Sequence, residues 1–199
     1  MNIHPNEPNS RLEPLSSKQM KQQWLDTLAQ IPGDGLKGDG FPHNVLGMLM
    51  YSPELFGPFL DYWVKSKLKM SLSVRQQELV ILRMGVLYQS NYVWKHHVPV
   101  ALEFAITQPE LENLYSGSYD GNFNAKEQAL LKLTDEMVVN RTISPSLWAS
   151  QGSLLSAQEI VDLIMLISQY VLFALANNAL QVPLEAPLEK IPGLEDINC

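Results

Sequence analysis

The segment SVRQQELVILRMGVLYQSNYVWKHH, residues 73–97, constrains the fold of this chain more than any other. It opens with a capping box, in which the side chains of Ser73 and Gln76 each bond the other residue's backbone amide. Between residues 79 and 88 nearly every side chain is apolar, and Arg83 carries the only charge. A helix that is apolar on all faces belongs inside a protein. The sequence therefore predicts a buried central helix.

One face of this helix carries a carboxylate, a glycine without a side chain, and an amide. Gly85 and Gln89 follow Glu78 by seven and eleven residues, which returns the chain to nearly the same helix face. We expect a small pocket floored by Gly85. A second helix, carrying His96 and His97, folds back along the first in this prediction and brings His97 to the pocket.

Helix start signals divide the rest of the chain. Three helices begin with a Ser, Thr or Asn followed by Glu three residues later, and Ser52 and Ser144 each precede a proline. No segment between residues 16 and 181 alternates with the period of a strand. We therefore predict an all-α, single-domain bundle of six to eight helices at residues 16–182. A flexible arm (1–15) precedes it, and an extended strap (183–199), in which prolines exclude a helix, follows it.

Composition excludes several classes of protein. The chain has 199 residues, of which 46% are hydrophobic, enough for one sizeable core. Its net charge of −7 does not favour nucleic-acid binding, because such binding depends on a positively charged surface that neutralises phosphates. The single cysteine, Cys199, cannot form an internal disulfide or a CxxC pair. The N-terminal residues do not resemble a signal peptide, and we expect a cytoplasmic protein.

The longest apolar run, residues 163–180, has the length of a membrane helix. Gln169, Asn177 and Asn178 interrupt it, and Asp162 precedes it. We therefore expect a helix buried in the core or at a subunit interface, with no membrane association. This helix and the apolar residues of the strap predict a homo-oligomer.

Ordered motifs surround the central segment. ELVILR is followed by YVW and by a histidine three residues after the tryptophan, with PHNVLGMLMYSPELFGPFLDYW upstream and EQALLKLTDEMVVNRTIS downstream. This pattern, from about Phe41 to Gln181, resembles the carboxymuconolactone decarboxylase and alkylhydroperoxidase D superfamily. The resemblance implies an all-α fold and assembly as trimers or hexamers. It also implies that Glu78 is the family's glutamate and His97 its proton-handling histidine.

The chain departs from both branches of that superfamily. Decarboxylase-like members read EYEWxxH, and here Asn91 and Val93 replace the two glutamates. Peroxidase members read CxxCxxxH, and here Ser90 and Val93 replace the two cysteines. Thiol peroxidase chemistry needs an attacking and a resolving thiol, so the resemblance favours the decarboxylase-like branch. An alkylhydroperoxidase or peroxiredoxin-type antioxidant activity stays as an alternative given only by family membership.

His97 and Glu78 are the candidate catalytic residues. Histidine gives and takes protons near neutral pH, and the carboxylate would orient it and raise its pKa. The structural alternative is a core histidine, with Glu78 paired to Arg83. His96 points away from His97 around the helix and is expected at the surface or at an interface. The candidate ligand-binding residues are Gln89, Ser90, Asn91, Tyr92, Trp94 and Arg83.

We therefore predict a small-molecule enzyme that uses no cofactor. The expected activity is that of a lyase or isomerase acting by acid–base chemistry on a small carboxylated lactone or carbonyl compound. A non-catalytic oligomer that binds a small ligand is the other alternative. No metal site is expected, because no HxxxH or HxxE spacing places two ligands on one helix face.

Overall fold

The structure is a computed structural model, which describes residues 10–31 and 43–197. In these ranges the chain forms nine α-helices and no strand: α1 Gln22–Leu28, α2 Asn44–Leu49, α3 Pro53–Lys69, α4 Val74–Leu87, α5 Asn91–Glu103, α6 Gln108–Ser116, α7 Ala125–Asn140, α8 Pro145–Gln151 and α9 Ala157–Leu180. Short 3₁₀ turns lie at Ser17–Gln19, Gly152–Leu154, Ala186–Lys190 and Leu194–Asp196. The all-α prediction is confirmed, with one helix more than the six to eight expected.

The helices begin where the capping signals predict. Ser73 Oγ accepts from the Gln76 amide at 3.3 Å, and Gln76 Oε1 accepts from the Ser73 amide at 2.9 Å. Thr107, Asn124 and Ser156 cap α6, α7 and α9 with the same kind of box. Helix α2 differs, since its N-cap is the residue before Asn44. The Asn44 side chain instead donates to the carbonyl of Pro183 at 2.9 Å, which ties α2 to the strap.

Helix α4 is the centre of the bundle, as the sequence predicts. Its residues 77–85 are all buried, and it packs against α5, α6, α7 and α9. Gly85 faces α5, and a Cβ on it would meet the Trp94 amide nitrogen at 3.4 Å and Val93 Cγ1 at 3.5 Å, which is ordinary van der Waals contact. The prediction that Gly85 floors a pocket is therefore wrong: the space beside it is filled by the backbone of α5.

Arg83 has a structural partner other than Glu78. Its Nε donates to Asp135 Oδ1 at 2.6 Å, and its Nη1 donates to the carbonyl of Leu114 at 2.7 Å. The second of these bonds satisfies a carbonyl in the last turn of α6, where the helix leaves such groups without partners. Arg83 therefore joins α4, α6 and α7.

Helix α9 has both a buried and an exposed apolar face. Among the described residues it is the one helix long and apolar enough to cross a membrane, and 44% of its apolar window is buried. Tyr170, Phe173 and other residues on one side pack into the core beside α4 and α5. The exposed apolar residues on this helix are Val161, Ile164, Met165, Leu172 and Leu175. The helix is thus a core element that leaves an apolar stripe uncovered in the single chain.

The strap lies on its own chain. Two 3₁₀ turns interrupt it, and Leu194 donates its amide to Asn91 Oδ1 at 2.8 Å, which fixes the strap to the start of α5. Residues 10–15 of the predicted arm are described, and the Arg11 amide donates to the carbonyl of Leu180 at 3.0 Å. The long connection at residues 32–42 and Cys199 lie outside the described residues.

Candidate functional site

A cavity of about 540 Å³ lies between α3, α5 and α9, beside the N-terminal half of α4. Aromatic and aliphatic side chains form most of its wall, including Trp63 and Phe173. The polar or ionisable side chains that line it include Lys67, Glu78, Tyr92, His96, His97, Tyr170 and Asn177. Cavities of this size, apolar with a few polar groups, are typical of small-molecule sites.

A second depression, open to the surface, has a volume of about 960 Å³ and lies between α7 and α8. Its polar residues include Asp120, Asp135 and Glu136, and no histidine lines it. Asp135 already accepts a hydrogen bond from Arg83, so that this carboxylate serves to hold the fold together. The cavity beside α4 is therefore the better candidate for chemistry.

Three helices bring Glu78, His97 and Tyr170 into one hydrogen-bonded chain. His97 Nδ1 lies 2.6 Å from Glu78 Oε2, and His97 Nε2 lies 3.1 Å from the Tyr170 hydroxyl. Glu78 comes from the second turn of α4, His97 from the middle of α5 and Tyr170 from the middle of α9. The contact between Glu78 and His97 is the one that the sequence predicts; Tyr170 was not foreseen.

The charge states of Glu78 and His97 follow from their burial and from one neighbouring cation, Lys67. Burial lowers the pKa of His97 below 6.5, and the opposing attraction of Glu78 does not restore it. For Glu78, burial raises the pKa, but His97 and Lys67 outweigh that effect and the pKa is lowered. The prediction that Glu78 raises the pKa of His97 above that of an exposed histidine is wrong, because desolvation of the imidazolium exceeds the attraction.

The charge state near neutral pH fixes the direction of each hydrogen bond. A carboxylate on Glu78 accepts the Nδ1–H of a neutral His97, which leaves a lone pair on Nε2. The Tyr170 hydroxyl then donates to Nε2, and burial raises its pKa well above 10, so that it keeps its proton. The three groups can pass a proton between the cavity and the imidazole.

Lys67 is the cation of the cavity, and sequence reasoning missed it. Burial lowers its pKa, while the charge of Glu78 raises it. Its Nζ lies 5.7 Å from the centroid of the Trp63 ring and makes no hydrogen bond or ion pair with the residues that the structure describes. A signal for it exists in the sequence, because Lys67 follows the buried Leu60 by seven residues on the apolar face of α3.

A second polar cluster closes another side of the cavity. His96 Nε2 lies 2.8 Å from Glu185 Oε2, and the His96 ring lies 4.9 Å, centroid to centroid, from that of His43. The prediction that His96 lies at the surface or at an interface is wrong: its side chain is 9% exposed in the single chain. Burial, and next the neighbouring His96, lower the pKa of His43 to about 3. The Tyr92 hydroxyl donates to Glu185 at 2.8 Å, so that Tyr92 lines the cavity with its oxygen already bonded.

The other predicted ligand-binding residues do not line this cavity. Gln89 is an exposed turn residue, Ser90 is a buried N-cap, and Asn91 holds the strap, as its Nδ2 bonds Glu195 at 2.7 Å. Trp94 is buried in the cluster between α4, α5 and α6, and Arg83 is bonded to Asp135. The reason lies in α5 itself: residues 92, 93, 96, 97 and 100 share the face toward the cavity, and 91 and 94 lie on the other side.

Among the described residues no group of three or more histidine, cysteine, aspartate or glutamate side chains is arranged to hold a metal ion. His96 and His97 are adjacent on α5, but their ring nitrogens bond different carboxylates, Glu185 and Glu78. The arrangement seen is suited to proton transfer.

Comparison with known proteins shows the same fold. The profile of the carboxymuconolactone decarboxylase family matches residues 53–136. Comparison with curated protein sequences gives no match. The debrominase Bmp8 in its apo form has a TM-score of 0.76 at 12% identity, over 96% of this chain and 100% of that one. A cysteine-to-alanine variant of Bmp8 in complex with 2,3,4-tribromopyrrole has a TM-score of 0.75.

Two further solved structures are similar. A peroxidase-related protein from Silicibacter sp. TM1040 has a TM-score of 0.71 at 15% identity, over 94% of this chain and 97% of that one. A protein of unknown function from Agrobacterium tumefaciens, described as an antioxidant-defence protein of the AhpD kind, has a TM-score of 0.63 at 15% identity, over 70% of this chain and 96% of that one. At these identities the likeness shows the fold. The profile match over residues 53–136 supports the resemblance of this chain to the carboxymuconolactone decarboxylase and AhpD-like superfamily.

Proposed function

We propose that this protein is a cofactor-free lyase or isomerase that acts by acid–base chemistry on a small carboxylated lactone or carbonyl compound. The observation that carries the proposal is the hydrogen-bonded chain Glu78–His97–Tyr170 on the wall of a largely apolar cavity. A general base needs an available lone pair, a fixed tautomer and access to its substrate. Glu78 fixes the tautomer of His97, and the lone pair of its Nε2 becomes available when the Tyr170 hydroxyl, which bonds it in the free protein, turns to the substrate.

The proton transfers follow from these positions. His97 Nε2 removes a proton from the carbon next to the substrate's carbonyl, and the electron pair moves onto the carbonyl oxygen as an enolate. Tyr170, as an O–H donor, stabilises that oxygen. An isomerase returns the proton at another carbon. In a lyase the bond between the carboxylate carbon and its neighbour breaks, CO₂ leaves, and the bonding electron pair enters the conjugated carbonyl as an enolate. His97 takes up a proton from solvent and delivers it to the carbon.

Lys67 is the residue proposed to bind the substrate carboxylate. An ammonium group in an apolar cavity without a bonded acid attracts an anion more strongly than one in water, because the local dielectric constant is low. Burial lowers the pKa of Lys67, and an anion beside it reverses that shift. The carboxylate would therefore lie at the end of the cavity nearest Glu78 and His97.

The first experiment measures solvent exchange and CO₂ release. Carboxylated butenolides and β-keto acids are incubated with the protein in D₂O, and deuterium incorporation at carbon is followed by NMR. We expect His97→Gln to lower the exchange rate by at least about 100-fold, since general acid–base catalysis contributes about 10²–10⁴-fold. Tyr170→Phe should give a smaller loss, because the imidazole remains.

Cys199→Ser is the control, and it should exchange at the rate of the unsubstituted protein. Binding of these compounds without exchange would instead identify a non-catalytic ligand-binding protein. Hydroperoxide reduction that disappears in Cys199→Ser would favour the peroxidase alternative. Exchange that is equal in His97→Gln and the unsubstituted protein would refute the assignment of His97 as the base.

A further inference from the structure

The side-chain amide of Asn177 has no hydrogen-bond partner among the described residues, at either its oxygen or its nitrogen. Asn177 is 4% exposed and lines the cavity, and neither its Oδ1 nor its Nδ2 bonds any group in the described part of the chain. The neighbouring amide, Asn178, donates to the carbonyl of Tyr88 at 2.7 Å, as a protein amide usually does. Buried polar side chains are nearly always hydrogen-bonded, so that one without partners on a cavity wall indicates a ligand that supplies them.

The position of Asn177 on α9 separates it from the proton-transfer groups. Asn177 follows Tyr170 by seven residues, and Phe173 lies between them on the same face. Seven residues of helix rise about 10 Å. The cavity therefore has the Glu78–His97–Tyr170 chain toward one end and an unpaired amide toward the other, with an apolar surface between them.

The apolar wall that shares the cavity with Asn177 indicates which group this amide would bind. The Trp63 ring lies 6.0 Å, centroid to centroid, from that of Phe173, and Trp63 Nε1 is a second buried donor without a partner among the described residues. A charged group would lose its hydration here without a counter-charge, which is costly. An uncharged hydroxyl, carbonyl or amide can use both the donor and the acceptor of the Asn177 amide.

We infer that Asn177 is a specificity-determining residue that binds an uncharged oxygen or amide group of the ligand, at the opposite end from the carboxylate. The ligand is then a small planar molecule whose unsaturated body lies against Phe173 and Trp63. The carboxylate end rests on the proposed function; the Asn177 end rests on the unpaired amide. The two ends are tested by different variants.

Binding of two probes of equal size tests the Asn177 end. We use 4-hydroxybenzoate and 4-methylbenzoate, which share a carboxylate and a ring and differ by a hydroxyl against a methyl group. Isothermal titration calorimetry should show that the unsubstituted protein prefers the hydroxyl compound by about 10-fold or more, since one buried hydrogen bond to a ligand is worth about that factor. Asn177→Leu should abolish the preference, and the matched control Asn178→Leu should keep it.

The melting temperature of the free protein gives a readout independent of any ligand. A leucine of similar size removes an unsatisfied buried amide, so that Asn177→Leu should raise the melting temperature by roughly 2–6 °C. A lower melting temperature would show that Asn177 stabilises the fold through a structural partner and would overturn the inference. A preference that survives in Asn177→Leu, equal affinity of the two probes for the unsubstituted protein, or binding of neither probe would overturn it as well.

Lys67→Met separates this inference from the proposed function. It should weaken both probes equally and leave the preference for the hydroxyl compound unchanged. If Lys67→Met has no effect on affinity while Asn177→Leu removes the preference, the carboxylate end fails and the Asn177 assignment stands.

Discussion

A buried acid beside a buried imidazole is the central feature at the scale of single residues. A carboxylate inside an apolar helix is unfavourable unless it is bonded, and Glu78 is bonded to His97 at 2.6 Å with Lys67 close enough to lower its pKa. The same cation lowers the pKa of His97. The environment thus separates the two groups into an ionised acid and a neutral base, a state suited to removing protons.

The titration of His97 tests this account. We expect an NMR-detected pKa below 6.5 in the unsubstituted protein, because burial outweighs the attraction of Glu78. Glu78→Gln should lower the pKa further, since it removes the attracting charge, and Lys67→Gln should raise it. A pKa above 6.5, or no change in Glu78→Gln, would contradict the contact and its charges.

The same shift affects stability. The unfolded chain binds a proton at this histidine near pH 6.5, whereas the folded chain binds it only at lower pH. The contribution of His97 to stability is therefore lost as the pH falls from about 6.5 toward the lowered folded value.

At the scale of elements, the strap holds two side chains of the cavity wall, Tyr92 and His96, through Glu185. Glu185 accepts from the Asn44 amide at 2.6 Å and the Tyr92 hydroxyl at 2.8 Å, and it contacts His96 Nε2 at 2.8 Å. One side chain of the strap therefore joins the start of α2 to the middle of α5. The prediction of an extended strap from three prolines identifies this segment, although it does not identify Glu185.

We expect Glu185→Ala to lower the free energy of unfolding by about 2–4 kcal/mol, since it leaves several buried donors without an acceptor. Urea denaturation followed by circular dichroism measures the change. Glu189→Ala is the matched control, because Glu189 is an exposed glutamate on the same strap. Equal stability of the two variants would show that the Glu185 contacts do not hold the strap in place.

At the scale of the whole molecule, the apolar stripe of α9 has no cover in the single chain. Val161, Leu172 and Leu175 are 54%, 39% and 55% exposed, on the helix whose other face is in the core. Exposed apolar patches of this kind commonly mark interfaces between proteins. We expect this stripe to be the contact between copies of the chain.

Light scattering on a sizing column tests the association. The unsubstituted protein should elute with a mass of a trimer or hexamer of the 22.4 kDa chain, through interfaces that bury more than about 1,000 Å². Leu175→Glu should give smaller species, and Val139→Glu, which changes an exposed residue of α7, should not. A 22.4 kDa species at micromolar concentration would refute the expectation.

Local sequence signals were enough to predict the helices and the contact between Glu78 and His97. Capping boxes and proline positions are local, so that Ser73, Thr107, Asn124 and Ser156 mark helix starts without reference to the rest of the chain. The pairing of Glu78 with His97 was predictable because the two lie on consecutive helices, and an antiparallel pair of helices has few registers.

The other side chains of the site could be identified only from the way distant segments pack together. Lys67, Tyr170, Asn177 and Glu185 come from α3, α9 and the strap, and no periodicity within one segment says which distant side chains will meet. The predicted direction of the pKa shift of His97 was wrong for the same reason. Its sign depends on how much water the assembled helices exclude, and that is a property of the packed bundle.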